Sequence, residues 1–216
     1  MYQPAAFREE RVGVMHELIR AHPLATLVTR AGGPLEANHL PLLIDPQPSP
    51  FGTLRGHVAR ANPLWRQVHA GHEALAVFQG PQAYVTPSWY PSKRETGKVV
   101  PTWNYAVVHA YGPLIIHDDP DWLRDLVSRL TDQQEAPLAQ PWGITDAPAD
   151  YIGQMLRAIV GVEIPVARLE GKWKVSQNRS TADRAGVAAA MEAHGDAQSQ
   201  AMAALVAEGV TNKRPV

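Results

Sequence analysis

Val12, Met15, Leu18, Ile19 and His22 recur at three- and four-residue steps, so Arg8 to His22 predicts a helix with one buried face, stopped by Pro23. The pattern then changes to short apolar runs separated by turn residues. Leu24 to Thr29, an AGGP turn and Leu35 to Ile44 predict a hairpin, with Pro41 marking a bulge or an edge. Thr53 to Val58 alternates, sending Leu54, Gly56 and Val58 to one face and Arg55 and His57 to the other. Asn62-Pro63 opens a short helix to Ala70, an Asn cap followed by proline at the first helical position. Ala74 to Phe78, Tyr84 to Thr86 and Tyr105 to His117 complete a set of five to seven antiparallel strands with little helix between them. That order predicts a meander or barrel rather than alternating strand and helix.

After Asp118 the helical period returns. Asp121 to Leu130 carries Trp122, Leu126 and Leu130 in register, and Pro148 to Val160 carries Ile152, Met155, Leu156 and Ile159. Val162 to Leu169 predicts a last strand, and the alanine-rich stretch from Thr181 predicts helix that frays at its end. The expected class is α+β, mainly β, with peripheral helices. The expected organisation is a barrel domain over residues 1–180, including helices near 121–130 and 148–160, and a helical tail over 181–216.

Composition narrows the function. Twenty basic and 21 acidic residues leave a net charge of −1, which supplies no basic field for nucleic acid. The absence of cysteine removes disulfides, thiolate zinc sites and thiol nucleophiles. No run approaches the ~18 apolar residues of a membrane span, and Arg8, Glu9, Glu10 and Arg11 occupy the place of a signal peptide's apolar region. A cytoplasmic protein without membrane association is expected. No GxSxG, GxxxxGK[ST] or GxGxxG is present, and the one close histidine pair, His69 and His72, lies across an expected helix end with no pattern of converging ligands, so no metal site is expected.

Three constellations carry chemistry. His57, Arg60 and Asn62 sit where a strand turns into a helix. A planar fork of donors beside a helix start suits a phosphate, while the simpler reading is a cap and a solvated turn. The stretch from Tyr84 to Gly112 gathers Ser88, Trp89, Tyr90, Lys93, Arg94, Lys98, Thr102, Trp103 and Asn104. Its rings, hydroxyls and cations suit a flat, anionic ligand, or else form a charged loop with Gly97 as a hinge. In GKWKVSQNR, residues 171–179, Lys172 and Lys174 alternate with Trp173 and Val175 as a strand end with one polar face. Ser176, Gln177 and Asn178 then either read the edge of a heterocycle or close a turn.

Taken in order, MYQPAAF, HLPLLID, GHVARANP, YVTPSWYPSK, VPTWNYAVVHAYG and GKWKVSQNR resemble the PaiB-type FMN-binding negative transcriptional regulators, relatives of the pyridoxamine-phosphate-oxidase-like split β-barrels. The resemblance runs to about residue 180. It implies a split barrel that forms a homodimer and holds FMN at the subunit interface. By position it places His57, Arg60 and Asn62 near the flavin phosphate and ribityl chain, Ser88, Trp103 and Asn104 along the same cleft, and Lys174, Gln177 and Asn178 near the ring. It also implies repression of genes, although no DNA-binding motif is legible and DNA is a partner only by that implication. Two further functions fit the residues. One is an FMN-dependent, flavin-reductase-like oxidoreductase with Lys174 at the pyrimidine edge. The other is a haem protein with His39, His57 or His109 as axial ligand.

Overall fold

The computed structural model describes residues 1–30, 33–67 and 71–211. Part of the AGGP turn, the expected helix end at 68–70 with His69, and the end of the tail lie outside the described residues. In chain order the elements are β1 (Arg8–Glu9), α1 (Val12–Ala21), β2 (Leu24–Thr29), β3 (Glu36–Pro41), β4 (Leu43–Asp45), β5 (Thr53–Ala59), α2 (Leu64–Gln67), β6 (Glu73–Val85) and α3 (Ser92–Thr96). There follow β7 (Thr102–Pro113), β8 (Ile115–His117), α4 (Pro120–Glu135), α5 (Ala149–Arg157), β9 (Ile159–Pro165), β10 (Arg168–Lys174), α6 (Thr181–His194) and α7 (Ala197–Thr211). The chain divides into two units, one of residues 19–78 and 109–169, the other of residues 1–18, 79–108 and 170–216.

In the first of these units β4, β5, β9 and β8 form an antiparallel sheet in that order, with Leu54 opposite Ile164 and His57 opposite Gly161. The alternation read from residues 53–58 holds: Leu54, Gly56 and Val58 are buried, whereas Arg55 and His57 are half-buried. β2 pairs with β3 and with the start of β6. The single returning strand expected over 35–44 is two strands. Pro41 has no N–H for a ladder, and Leu42 turns its own N–H to Pro23 O at 2.9 Å, so the chain leaves one sheet and enters another. Gly112 near the end of β7 cannot carry a side chain, because a Cβ would stand 2.1 Å from the carbonyl oxygen of Pro165.

Helix α4 opens on Asp119, whose carboxylate accepts the Asp121 N–H at 2.9 Å, with Pro120 at the first position. Its buried Leu126 and Leu130 pack on Leu43, and Leu123 packs on Ile152 and Leu156 of α5. Trp122 lies flat on the His117 ring, centroids 4.1 Å apart. Charge is ordered here too. Asp45 takes both Arg55 and Arg129, and Arg55 also donates to Glu163 at 2.7 Å.

In the other unit β1 pairs with β10, Arg8 opposite Lys172. That pairing shortens the expected first helix, since Arg8 and Glu9 are held extended. β6 is one continuous strand where the sequence predicts two runs. The Gly80-Pro81 pair resembles a break, but the glycine answers to packing: a Cβ would meet Leu18 at 2.8 Å and Ala106 O at 3.2 Å. The alanine-rich segment forms α6 and α7. They bury Val187, Met191, Met202 and Val206 against Val85, Tyr90 and Val175. Ser180 caps α6 by accepting the Asp183 N–H at 3.1 Å, and Gly195 ends it in a left-handed conformation. Among the described residues, no helix is long and apolar enough to cross a membrane.

Candidate functional site

Six of the nine expected site residues belong to the unit that includes residues 79–108 and 170–211, and several of them share one hydrogen-bonded group. Lys174, at the end of β10, donates from Nζ to the Trp103 carbonyl at 2.8 Å and to the Thr102 hydroxyl. Burial pulls its pKa down; Tyr105 opposes the shift, and Lys172 and Arg179 add to it. Trp103 is 53% exposed and meets Tyr84, 48% exposed, edge to face with centroids 5.9 Å apart. Asn104 is buried and donates to Ser176 Oγ at 2.9 Å.

Ser176 itself has a φ of 65°, a left-handed conformation unusual for a residue with a side chain. Gln177 folds back on β10, accepting the Val175 N–H at 2.8 Å and donating to the Trp173 carbonyl. Asn178 and Ser88 are exposed, and Ser88 Oγ accepts from Lys93 Nζ at 3.1 Å. Together these groups place a partly desolvated ammonium on the backbone of a residue whose indole is exposed, with hydroxyl and amide groups near the same strand ends.

Lys172 departs from the sequence reading. It is buried, donates to the Tyr2 carbonyl at 3.1 Å and lies over the rings of Tyr2 and Tyr105. The alternation of Lys172 and Lys174 therefore marks no uniformly solvated face. The loop after Tyr90 is also more ordered than expected. It forms α3, and Gly97 is its left-handed cap, with φ 66°.

His57, Arg60 and Asn62 belong to the other unit. Arg60 engages Asp118 fork to fork and donates also to the carbonyls of Arg157 at 2.7 Å and Ile159 at 3.0 Å. The ion pair raises the Arg60 pKa and lowers that of Asp118. Asn62 caps α2 through the Leu64 N–H at 2.9 Å and donates to Asn38 Oδ1 at 2.7 Å. His57, its pKa lowered by burial, has an Nδ1 without a hydrogen-bond partner among the described residues. It borders an open cleft of about 370 Å³ with Pro41, Val127, Leu130 and Trp142.

Sequence reasoning missed two participants. Asp118 reads as a helix-dipole residue, and only the fold brings it to Arg60. Tyr84 reads as strand, although its spacing from the loop aromatics is a usable signal. Thr102, already read as a candidate donor, accepts from Lys174.

Comparison with known proteins places the chain in a family. Residues 1–168 match the family described as "Putative FMN-binding domain". An uncharacterized protein of Emericella nidulans is 35% identical over 243 residues, covering 96% of this chain and 97% of that protein. The Bacillus subtilis "Protease synthase and sporulation protein PAI 2" is 31% identical over 206 residues, covering 95% and 96%. In fold, the FAD and heme binding protein from Mycobacterium smegmatis superimposes with a TM-score of 0.54 at 15% identity, over 77% of this chain and 73% of that one. The fold is thus the α+β, mainly β architecture of the flavin-binding split barrels. This chain belongs to the FMN-binding domain family, and its cofactor is a flavin.

Proposed function

We propose that this chain is a PaiB-type flavoprotein: a homodimer that binds FMN at the subunit interface and acts as a negative regulator of transcription. The observation that carries the flavin part is the partly desolvated Lys174 ammonium held on the Trp103 carbonyl, at a strand end where the Trp103 indole is exposed. A desolvated cation and an exposed aromatic ring at one strand end suit a planar ligand that becomes anionic on reduction. In this reading Ser88, Trp103, Asn104, Lys174, Gln177 and Asn178 serve the ring end. His57, Arg60 and Asn62 serve the phosphate end, and pairing of two copies brings the two sets to one flavin. Bound there, the flavin supplies electron-transfer chemistry; the chain's own residues bind it, orient it and place one positive charge beside it. The regulatory part draws support from the PAI 2 relative, which is named for protease synthase and sporulation.

The test is a flavin-fluorescence titration of the dialysed protein, run with light scattering. Saturable quenching by FMN, a dimeric mass and at least tenfold weaker binding by Trp103→Ala are expected. Colourless protein after dialysis against excess FMN, with no calorimetric heat, refutes the reading. The regulatory part is tested by promoter retention with a steep salt slope. The same Lys174 placement favours a second reading, an FMN-dependent oxidoreductase. Stopped-flow oxidation of NADPH or NADH by the FMN-loaded protein decides it, and no turnover with either leaves regulation ahead.

A further inference from the structure

Among the described residues, Arg184 is a buried cation with no ion pair. It lies in the first turn of α6, is 4% exposed, and shares a helix face with Val187 and Met191, three and seven residues on, both of them wholly buried. Its Nε and Nη2 are sealed from solvent and have no hydrogen-bond partner. These two nitrogens form the side-on edge of the guanidinium, the edge that receives a carboxylate or phosphate through two parallel hydrogen bonds. The nearest carboxylate in sequence is already committed: Asp183 accepts the Ser92 N–H at 3.0 Å and the Ser92 hydroxyl at 2.8 Å.

A guanidinium stays protonated at any pH at which the protein is folded, so burial cannot be relieved by losing a proton. Burial acts on it alone, pulling its pKa down with nothing opposing. An unpaired charge in that position is unfavourable, so a chain that keeps one there gains by supplying an anion. A second cation lies five residues before it: the Arg179 guanidinium stands 4.8 Å over the ring of Tyr90, which belongs to the same hydrophobic cluster as Val187.

We propose that the side-on edge of Arg184 is a receptor for a small oxyanion of the phosphate class, distinct from the ring-binding groups around Lys174. The carboxylate of a folded partner is a poor candidate, because a rigid surface cannot reach nitrogens that have no surface of their own. A small anion needs only a local opening. The segment from Ser176 to Ser180, which leads into α6, already carries left-handed strain at Ser176. The inference does not depend on the flavin reading. The phosphate has two sources, free phosphate or the phosphate group of FMN, and the experiment separates them.

The full-length protein is melted at constant ionic strength in chloride, inorganic phosphate, FMN and riboflavin, together with Arg184→Lys and Arg184→Met. At ten times the half-saturating concentration, phosphate raises the wild-type midpoint by about 3–6 °C. Lysine, which keeps the charge and loses the fork, abolishes most of that shift. Arg184→Met melts above the anion-free wild type and responds to no phosphate, whereas an arginine with only a packing role would melt lower when replaced. A shift by FMN that exceeds riboflavin's only while Arg184 is present assigns the site to the cofactor's phosphate. A shift by inorganic phosphate in protein that binds no flavin keeps this site and refutes the flavin reading. Wild-type protein stabilised by neither phosphate nor FMN over riboflavin overturns the proposal even if neither variant folds. Loss of the dimer in Arg184→Lys without any phosphate response overturns it in favour of a partner carboxylate.

Discussion

Arg60 and Asp118 meet fork to fork, Nη1 to Oδ2 at 2.9 Å and Nη2 to Oδ1 at 2.5 Å. The guanidinium edge that would hold a phosphate is therefore occupied by a carboxylate from the segment before α4. If Arg60 serves the phosphate end of FMN, binding exchanges one oxyanion for another. Asp118→Asn removes the competing charge and is expected to tighten FMN several-fold, with riboflavin unchanged. Arg60→Ala is expected to weaken FMN by about ten- to a hundredfold, the worth of a charged hydrogen bond. Asp118 is exposed enough that Asp118→Asn should hardly change stability, whereas Arg60→Ala also removes the donor to the Arg157 and Ile159 carbonyls and should cost some. Equal FMN affinity across wild type and both variants, measured by fluorescence quenching, removes Arg60 from the site.

Ser92 ties the segment after Tyr90 to α6 through Asp183, which is 4% exposed. Burial raises the carboxyl's pKa, but the hydrogen bonds from Ser92 and Ser180 outweigh it and hold the value below the usual range. A folded pKa below the unfolded one means that the stabilisation is present above about pH 4 and is lost as pH falls towards the folded value. Ser92→Ala removes the hydroxyl donor and leaves the N–H. A loss of about 1.5 kcal/mol at neutral pH is expected from urea midpoints. The gap between variant and wild type should shrink on acidification below pH 4. A gap independent of pH would mean that the hydroxyl acts by packing alone.

Much of this architecture is legible in the chain. The two-residue period of residues 53–58 and the 3.6 period of α4 each report one buried face, and the structure buries those faces. The failures share a physical origin. Gly80-Pro81 looks like punctuation because local propensity carries no record of Leu18 standing where a side chain would be. Pro41 looks like a bulge because sequence cannot tell a distorted strand from one that changes sheets. At the candidate site, residue types announce the chemistry, aromatic rings and cations on one loop. The partners that fix each group come from far along the chain: Asp118 for Arg60, Thr102 for Lys174, Ser176 for Asn104. Arg184 is the extreme case, since an arginine in a helix reads as solvated until the fold buries it.

Gly112 and Pro165 are a test of backbone closeness rather than of chemistry. A Cβ at residue 112 would sit 2.1 Å from Pro165 O, 2.9 Å from Ile164 Cγ2 and 3.1 Å from the Pro165 carbonyl carbon. Two of those atoms are backbone within paired strands and cannot rotate away. Gly112→Ala is therefore expected to cost at least ~2–3 kcal/mol in urea unfolding, at the upper end of overpacking changes. Gly153→Ala is the control, because its nearest neighbour is the far end of Arg157 at 3.7 Å. Gly153 lies within α5, where alanine is the better helix former, so that substitution should be neutral or stabilising.

If Lys174 lies beside the flavin, it joins pH to binding. Its ammonium is harder to protonate in the fold than in the unfolded chain, first because it is desolvated, with Lys172 and Arg179 adding repulsion. Between the lowered folded value and the ordinary value near 10.5, the unfolded chain binds the extra proton, so stability rises with pH across that window. An anion bound beside Lys174 reverses the preference, because it gains from the charge that the fold resists. FMN should accordingly bind more weakly as pH rises through the lowered pKa, and the reduced flavin more so than the oxidised form. Lys174→Met should abolish that pH dependence, weaken oxidised FMN by about tenfold, and make the bound flavin's reduction potential more negative. It should also leave the Asn104–Ser176 contact, and hence the melting temperature, nearly unchanged. Titrations and potentiometry across pH 7 to 10 decide the matter. If wild type and variant show the same pH profile and the same potential, the positive charge at Lys174 does not face the flavin.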